Sequence, residues 1–409
     1  MAPGFLPRRT PREWAMRGAL AAAAAVAGCF SGAHTLALVV AQERPTLAHR
    51  LAPWDGRITA ALAASLTGPG AGEAQRRRSD GLARRALRQD ATAVTAAATL
   101  GINAQLRGDG AAASRLFTYA EKLSRRDLQT QLWMIEAAVG RGDIPGALRH
   151  YDIALRTKRQ SWDLLFPILT SASANPPVRA ELVKTLAARP PWAEPFINHV
   201  AAHPADPQAA STLFLDLRRA GLALPDRVHA AAINELIGDG FADEAWRHYA
   251  AIRGGADRRQ SRDPHFALAS DAPTAFDWAP VSAGGIDTSI QRGAGGDVFD
   301  FAADSGMGGP LLRQMQMFPP GTYRIEGHSS GIAQPAQSLP YWTLVCQTGG
   351  REFGRVTVPN SAEAGGAFSG RFTVPADCPV QALILIARTS DEAAGLSGQI
   401  DRVQVVPAQ

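Results

Sequence analysis

The pentapeptide Gly327-His328-Ser329-Ser330-Gly331 has the G-x-S-x-G form of a serine nucleophile presented on a sharp turn. That chemistry needs a strand turning directly into a helix, then an acid and a histidine further along to orient and deprotonate the hydroxyl. A strand-like run does precede it. The segment that follows carries Pro335 and Pro340 and makes a poor helix, and no histidine lies after His328. Ser329 therefore reads as part of a strand end and turn. The nine histidines form neither an H-E-x-x-H pattern nor a Cys/His zinc spacing. His199 and His203 are one helical turn apart, with no acidic third ligand in view. Asp297, Asp300 and Asp304 have calcium-type oxygens, but their spacing fits no known loop and strand alternation splits them across faces. Gly293-Ala-Gly-Gly296 has no helix after it and reads as a turn, not a nucleotide loop. No catalytic residue, metal ligand or cofactor is assigned, and the chain is expected to be non-enzymatic.

The elements that carry these residues follow from composition and pattern. A chain of 409 residues and 43.2 kDa, 46% apolar and 19% charged, suits two or three domains with sizeable cores. Only three of the 42 basic residues are lysine, and net charge is +5. Residues 266–409 hold 8 arginines and 13 acids (8 − 13 = −5), and the remainder 34 basic residues and 24 acids (34 − 24 = +10). No domain shows a basic stripe interleaved with aromatics, which excludes nucleic acid as the expected partner. Arg76-Arg77-Arg78 with Arg84-Arg85 reads as a solvated helix face.

Residues 18–41 are an uncharged, Ala-rich run of 24 preceded by Arg8, Arg9, Arg12 and Arg17. About 20 apolar residues span a bilayer as a helix, and the arginine flank keeps the N-terminus cytoplasmic. Three readings stay open. The run is a retained signal-anchor, a signal peptide cleaved near Val39-Val40-Ala41, or a lipoprotein signal with Val26-Ala27-Gly28-Cys29 as lipobox. All three place the bulk of the chain outside the cytoplasm. The signal-anchor is preferred, giving a cytoplasmic flank at 1–17, a transmembrane segment at 18–41 and a single-pass protein of a bacterial inner membrane with a periplasmic body.

Residues 42–256 have helical periodicity with Gly-Asp or Pro breaks every 12 to 17 residues. Aligned on itself, the stretch has a period of 34: Gly108 with Gly142, Ala113 with Ala147, Phe117 with Tyr151, and Ala86 with Ala120 and Ala154. Small residues let paired helices approach, an aromatic fills the gap one turn later, and glycine reverses the chain. With Leu100 and Gly101, this spacing resembles the tetratricopeptide repeat. Met134 and Ile135 stand where the second copy would have Leu-Gly, and a degenerate copy runs through Gly240, Ala245 and Tyr249. The resemblance implies a helix-hairpin solenoid whose concave surface holds a protein partner. A plain spacer between membrane and cargo domain is the alternative.

Residues 257–265 read as a linker. Beyond it, residues 266–409 hold seven or more short alternating runs separated by Gly, Pro and Asp, which predicts an antiparallel β-sandwich. The runs around Phe318-Pro-Pro-Gly-Thr-Tyr323, Trp342-Thr-Leu-Val-Cys346, Phe372-Thr-Val-Pro375 and Gly398-Gln-Ile-Asp401-Arg-Val resemble the jelly-roll sandwiches of carbohydrate-binding modules. Taken together, the anchor, repeats and sandwich resemble a family of bacterial envelope proteins associated with exopolysaccharide. That resemblance implies a scaffold with a protein partner on the solenoid and a polysaccharide on the sandwich. An accessory glycan-active hydrolase or lyase, or an assembly factor whose sandwich binds protein, are the alternatives.

Two further expectations concern the sandwich. Cys346 ends a strand and Cys378 sits in a Pro-flanked turn between two others, so in an oxidising compartment they are expected to form a disulfide. A bound sugar is expected to stack on an aromatic face. The candidates are Trp278, Tyr323, Tyr341, Trp342, Phe299 and Phe301. Alternation on the 341–347 run sends Trp342 inward with Leu344 and Cys346, leaving Tyr341 and Trp278 as the expected ligand-binding rings.

Overall fold

The computed structural model describes residues 10–268, 270–292 and 296–408. Arg8 and Arg9, and all but the last residue of the glycine run 293–296, lie outside the described residues. Among the described residues, fourteen α-helices precede ten strands, and the chain divides after Leu165 into two compact units.

In the first unit, α1 (Pro11–Val40) starts at a capping box. Thr10 accepts from the Glu13 amide, and the Glu13 carboxylate accepts from the Thr10 amide. The helix therefore begins seven residues before the uncharged run and includes Arg12 and Arg17. It is long and apolar enough to cross a membrane. Its last turns are covered by the helices that follow. Ala37 is buried with Ala48, Ala52 and Ile58, and Phe30 stacks on Trp54 with ring centroids 4.4 Å apart.

Beyond α2 (Pro45–Leu51), three antiparallel pairs follow: α3 (Gly56–Ser65) with α4 (Glu73–Gln89), α5 (Val94–Leu106) with α6 (Gly110–Leu123), and α7 (Leu128–Gly140) with α8 (Ile144–Thr157). Ala86, Ala120 and Ala154 occupy equivalent positions on α4, α6 and α8 and are fully buried, as are Ala113 and Phe117. Ala147 and Tyr151, their counterparts on α8, are nearly so. Gly101 lets α5 meet α6 closely, since a Cβ there would lie 2.8 Å from the Phe117 ring. Gly108 and Gly142 each take a left-handed φ, at 79° and 70°. The next amide closes back on the helix, Asp109 to the Ala104 carbonyl and Asp143 to that of Ala138. Each aspartate then caps the helix it begins, accepting from the amides of Ala112 and Gly146. A buried polar bridge ties α4 to α5: Asn103 donates to Asp80 at 2.8 Å and to Ser79 at 3.1 Å, and Arg107 pairs with Asp80 at 3.0 Å.

Helix α9 (Trp162–Ala172) spans the division between the units. The second unit continues through α10 (Pro176–Ala187), α11 (Ala193–Ala202), α12 (Pro207–Arg219), α13 (Asp226–Gly238) and α14 (Ala242–Ile252). The same glycine-closed reversal recurs at Gly221 and Gly240, where Leu222 and Phe241 donate to the Leu217 and Leu236 carbonyls. Gly240, with Ala245 and Tyr249 buried on α14, thus makes the hairpin expected there.

The sandwich consists of two five-stranded antiparallel sheets. One runs β1 (Ala279–Pro280), β4 (Gly309–Gln316), β9 (Gln381–Ala387), β6 (Tyr341–Cys346), β7 (Glu352–Thr357) across its width. The other runs β2 (Ile286–Gln291), β3 (Val298–Ala303), β10 (Leu396–Pro407), β5 (Gly321–Ser330), β8 (Ala367–Val374). Inward-facing alternation from both sheets builds one core, including Phe299, Phe301, Trp342, Leu383, Leu385 and Val403. Cys346 and Cys378 form the expected disulfide, with Cα atoms 5.9 Å apart.

The division of the chain differs from the one composition suggests. Helices α10–α14 group with the sandwich, not with the earlier helices. The physical reason is a second apolar cluster in which Ile233, Leu236, Trp246 and Tyr249 of α13 and α14 pack with Phe276 and Met317 of the sandwich side. Nor is 257–265 a solvated tether. The Ser261 amide donates to the Val405 carbonyl, and Arg262 is buried. The Arg262 guanidinium donates to the carbonyls of Phe276 and Met315 and to Gln316, and lies within 5.2–5.8 Å of the Trp246, Tyr249 and Phe276 ring centres. Burial lowers its pKa to about 10, which leaves it charged at neutral pH. The cation therefore joins the last hairpin to β4.

Candidate functional site

Tyr341 opens β6, and alternation places it with Thr343 and Val345 on the outer face of its sheet, opposite the buried Trp342, Leu344 and Cys346. Across the sheet, register aligns Arg313 of β4, Ile384 of β9, Thr343 of β6 and Arg355 of β7 in one row. The next row is Ile386, Tyr341 and Thr357, and Arg388 extends it one step beyond β9. Ile384, Ile386, Tyr341 and Val345 are half-buried and make an apolar floor, while Arg313 and Arg355 are exposed at its margins.

The Tyr341 ring is flanked by cations. The Arg355 and Arg388 guanidinium carbons lie 4.8 and 4.9 Å from its centre, from strands on opposite sides of β6. Arg355 donates to both oxygens of Glu352, at 2.8 and 2.9 Å, and Thr343 donates to the same carboxylate at 2.6 Å. The Arg355 bonds hold the Glu352 carboxyl below the usual carboxylate range, with Thr343 acting in the same direction. Arg313 and Arg388 have no ion pair among the described residues, in contrast to Arg324, Arg351, Arg355 and Arg402, each of which closes on a carboxylate. The face can thus accept an apolar surface at its centre and anionic groups at its edges.

Trp278 does not belong to this face. It is 4% exposed, its Nε1 donates to the Asp263 carbonyl at 2.8 Å, and its ring packs against Trp342 and Phe266 in the core. Its sequence neighbours, Asp277 and Pro280, suggest exposure, but the indole is held inward by its bond to Asp263 and its packing on Trp342. Tyr323 and the two phenylalanines are likewise buried, with Tyr323 donating to the Pro319 carbonyl.

Ser329 lies within β5, is 1% exposed, and donates to the Gly366 carbonyl at 3.2 Å. The strand runs on to Ser330, and the next helical element is a single 3-10 turn, Ala336–Ser338, not an α-helix opening at the serine. Its neighbour His328 faces the other way, with Nδ1 at 2.7 Å from Asp401 and Nε2 at 2.9 Å from the Gly365 carbonyl. This bridge over β5 and β10 is not read from the sequence, although Asp401 stands in the closing Gly-x-Ile-Asp run. Asp300 accepts from Gln399, and among the described residues no three His, Cys, Asp or Glu side chains converge as a metal site. His199 and His203 stack at 5.2 Å. Arg388 continues the outward alternation of β9, whereas the outward position of Arg355 depends on a register shift in β7 between Glu352 and Arg355 that alternation does not reveal.

No family model matches the chain, and no curated protein matches it. Solved carbohydrate-binding modules resemble the C-terminal sandwich. The CBM22-1 xylan-binding domain of Paenibacillus barcinonensis Xyn10C is 15% identical, the match covering 38% of this chain and 99% of that one at a TM-score of 0.24. TmCBM61, solved with beta-1,4-galactotriose, is 12% identical over 38% of this chain and 99% of its own, TM-score 0.23. The module CBM6cm-2 of Cellvibrio mixtus lichenase 5A, solved with cellotriose, is 13% identical over 31% and 88%, TM-score 0.20.

Proposed function

We propose that the protein is a membrane-anchored, non-enzymatic scaffold of the bacterial envelope. In this reading α1 anchors it in the inner membrane and the body lies in the periplasm. The hairpins α3–α8 act as tetratricopeptide-like repeats that hold a protein partner, and the sandwich binds envelope polysaccharide. The observation that carries the glycan reading is the outer face of the β1–β4–β9–β6–β7 sheet, where Tyr341 and the Ile384–Ile386 floor offer apolar contact between arginines. The length and apolar character of α1 support the anchor, the basic residues before it support the orientation, and the 34-residue register of Gly108 and Gly142 supports the repeat reading.

The test is to purify the full chain in detergent and measure retention of polysaccharide extracted from the cells that make it, for the native protein and for Tyr341→Ala. Retention that Tyr341→Ala weakens at least tenfold supports the reading; no retention of any extracted polysaccharide sinks it. Topology is checked by a reporter active only outside the cytoplasm, fused after Gln409. Activity from a cytoplasmic reporter instead would overturn the orientation. Membrane attachment that survives Cys29→Ser separates an anchor from a lipoprotein.

A further inference from the structure

We infer that the outer face of the β1–β4–β9–β6–β7 sheet selects an anionic polysaccharide, one whose charge is carried by carboxylates, and does so through Arg313, Arg355 and Arg388. The inference rests on the glycan-binding reading above and names its ligand class.

Three observations carry it. First, the Tyr341 ring does not present a bare face. Arg355 arrives from β7 and Arg388 from beyond β9, so a ligand reaching the ring meets guanidinium groups on either side of it. A neutral sugar stacked on the ring would have to displace a cation from the π-face; an acidic sugar meets the cations directly. Second, the face already holds a carboxylate in this manner. Glu352 takes two parallel bonds from Arg355 and one from Thr343, the fork-to-carboxylate geometry that a guanidinium offers and an ammonium does not. Arg313 and Arg388 offer the same donors and, among the described residues, take part in none of the sandwich's ion pairs. Third, the placement runs against the charge of the domain. Residues 266–409 carry 8 basic and 13 acidic side chains, yet these two rows hold Arg313 and Arg355, Arg388 follows just past β9, and Glu352, which Arg355 holds, stands outside both rows opposite Val345.

The dimensions fit an extended chain. Arg313 and Arg355 are three strands apart in one row, about 14 Å at the usual strand spacing. Between them Ile384 and Thr343 make a floor that suits the C–H face of a sugar ring, with the guanidinium groups at its ends where acidic substituents project. An acidic protein segment would use the same cations. It is disfavoured because the floor is made of half-buried or buried strand side chains, Ile384, Ile386 and Thr343, that suit a sugar face better than a segment's long side chains, and it is kept as an outcome of the test.

The experiment uses the full chain in detergent and the polysaccharide extracted from the cells that make it. The polymer is tested as isolated and after carbodiimide activation and borohydride reduction, which converts each uronate into a neutral hexose. Poly-glutamate serves as the competitor. The expected result is at least tenfold weaker binding of the reduced polymer and a several-fold loss in each of Arg313→Gln and Arg388→Gln. At least a tenfold loss is expected in the double variant, along with weakening by added salt. The two arginines project from the sheet surface, and unchanged near-ultraviolet circular dichroism certifies folding. Equal binding of both polymers overturns the inference while leaving the glycan-binding reading intact. Binding of neither polymer overturns both. Poly-glutamate that competes as tightly as the native polymer overturns the inference in favour of an acidic protein.

Discussion

Acidification should loosen the second unit at one buried histidine pair. Ser211 of α12, His248 of α14 and His229 of α13 form a chain, with Ser211 Oγ 2.7 Å from His248 Nδ1 and His248 Nε2 2.9 Å from His229 Nδ1. All three are at most 6% exposed. Desolvation, with Arg218 and Arg253 nearby and only Asp226 opposing, lowers the His229 pKa from 6.5 to about 4. Desolvation, then His229 and Arg218, lowers that of His248 to about 3. The folded state therefore holds both rings neutral, while the unfolded chain takes up protons below about pH 6.5. More protons bound when unfolded means that stability is fully present above that pH and falls as pH drops toward the folded values. Between about pH 7.5 and about pH 5 the linkage relation gives a loss of about 2 kcal/mol per histidine, and at most about 4 kcal/mol for the pair. The assay is hydrogen exchange of peptides from α12–α14, with protection corrected for the intrinsic rate at each pH. A loss of about 2 kcal/mol is a fall of about 30-fold in protection. Peptides from α5 and α6, which contain no histidine, provide the reference. The double variant His229→Gln with His248→Gln keeps hydrogen-bonding capacity without the titration and should lose most of the pH dependence. An equal fall in the native and variant proteins, or no fall in the native one, refutes the reasoning.

Replacing Cys346 and Cys378 by serine opens a loop closed across 32 residues of sequence, which the chain-entropy relation values at about 4 kcal/mol; thermal unfolding of the sandwich should shift accordingly, and an unchanged transition would reject the estimate. Gly101→Ala drives a methyl group to 2.8 Å from the Phe117 ring and should cost about 1–3 kcal/mol in a denaturant titration. Gly81→Ala, on the open face of α4 with nothing within 4 Å, should gain up to about 1 kcal/mol in the same assay. Arg262→Met leaves the acceptors at Phe276, Met315 and Gln316 unpaired and should cost about 2–4 kcal/mol; limited proteolysis should then cut at Gly254-Gly255 faster than in the native protein.

Much of the fold is legible because it is written locally. The 34-residue register of Gly108 and Gly142 encodes two helix reversals, since each glycine supplies a left-handed φ and each following aspartate a cap. The sheet runs declare themselves by alternation, which also places Trp342 inward and Tyr341 outward. The candidate site was legible only in part. Alternation assigns a face, but it does not say which other strands share that face. Arg313, Arg355 and Arg388 come from three separate stretches and meet Tyr341 only through strand order and register. Trp278 failed as a candidate because it lies just before a two-residue strand, too short for its pattern to show an inward face.

The sequence by itself determined the helical array, the apolar first helix, the two-sheet sandwich and the cysteine pair, all consequences of periodicity, turn chemistry and spacing along the chain. The tertiary structure alone decided that α10–α14 belong with the sandwich and that Arg262, in an apparent linker, is buried among aromatic rings. It alone brought Ser211, His229 and His248 into one line and surrounded the exposed tyrosine with guanidinium groups. These are contacts between residues far apart in the chain, Ile233 and Met317 among them. Their existence depends on which apolar faces find each other when the core closes, and no local pattern records that choice.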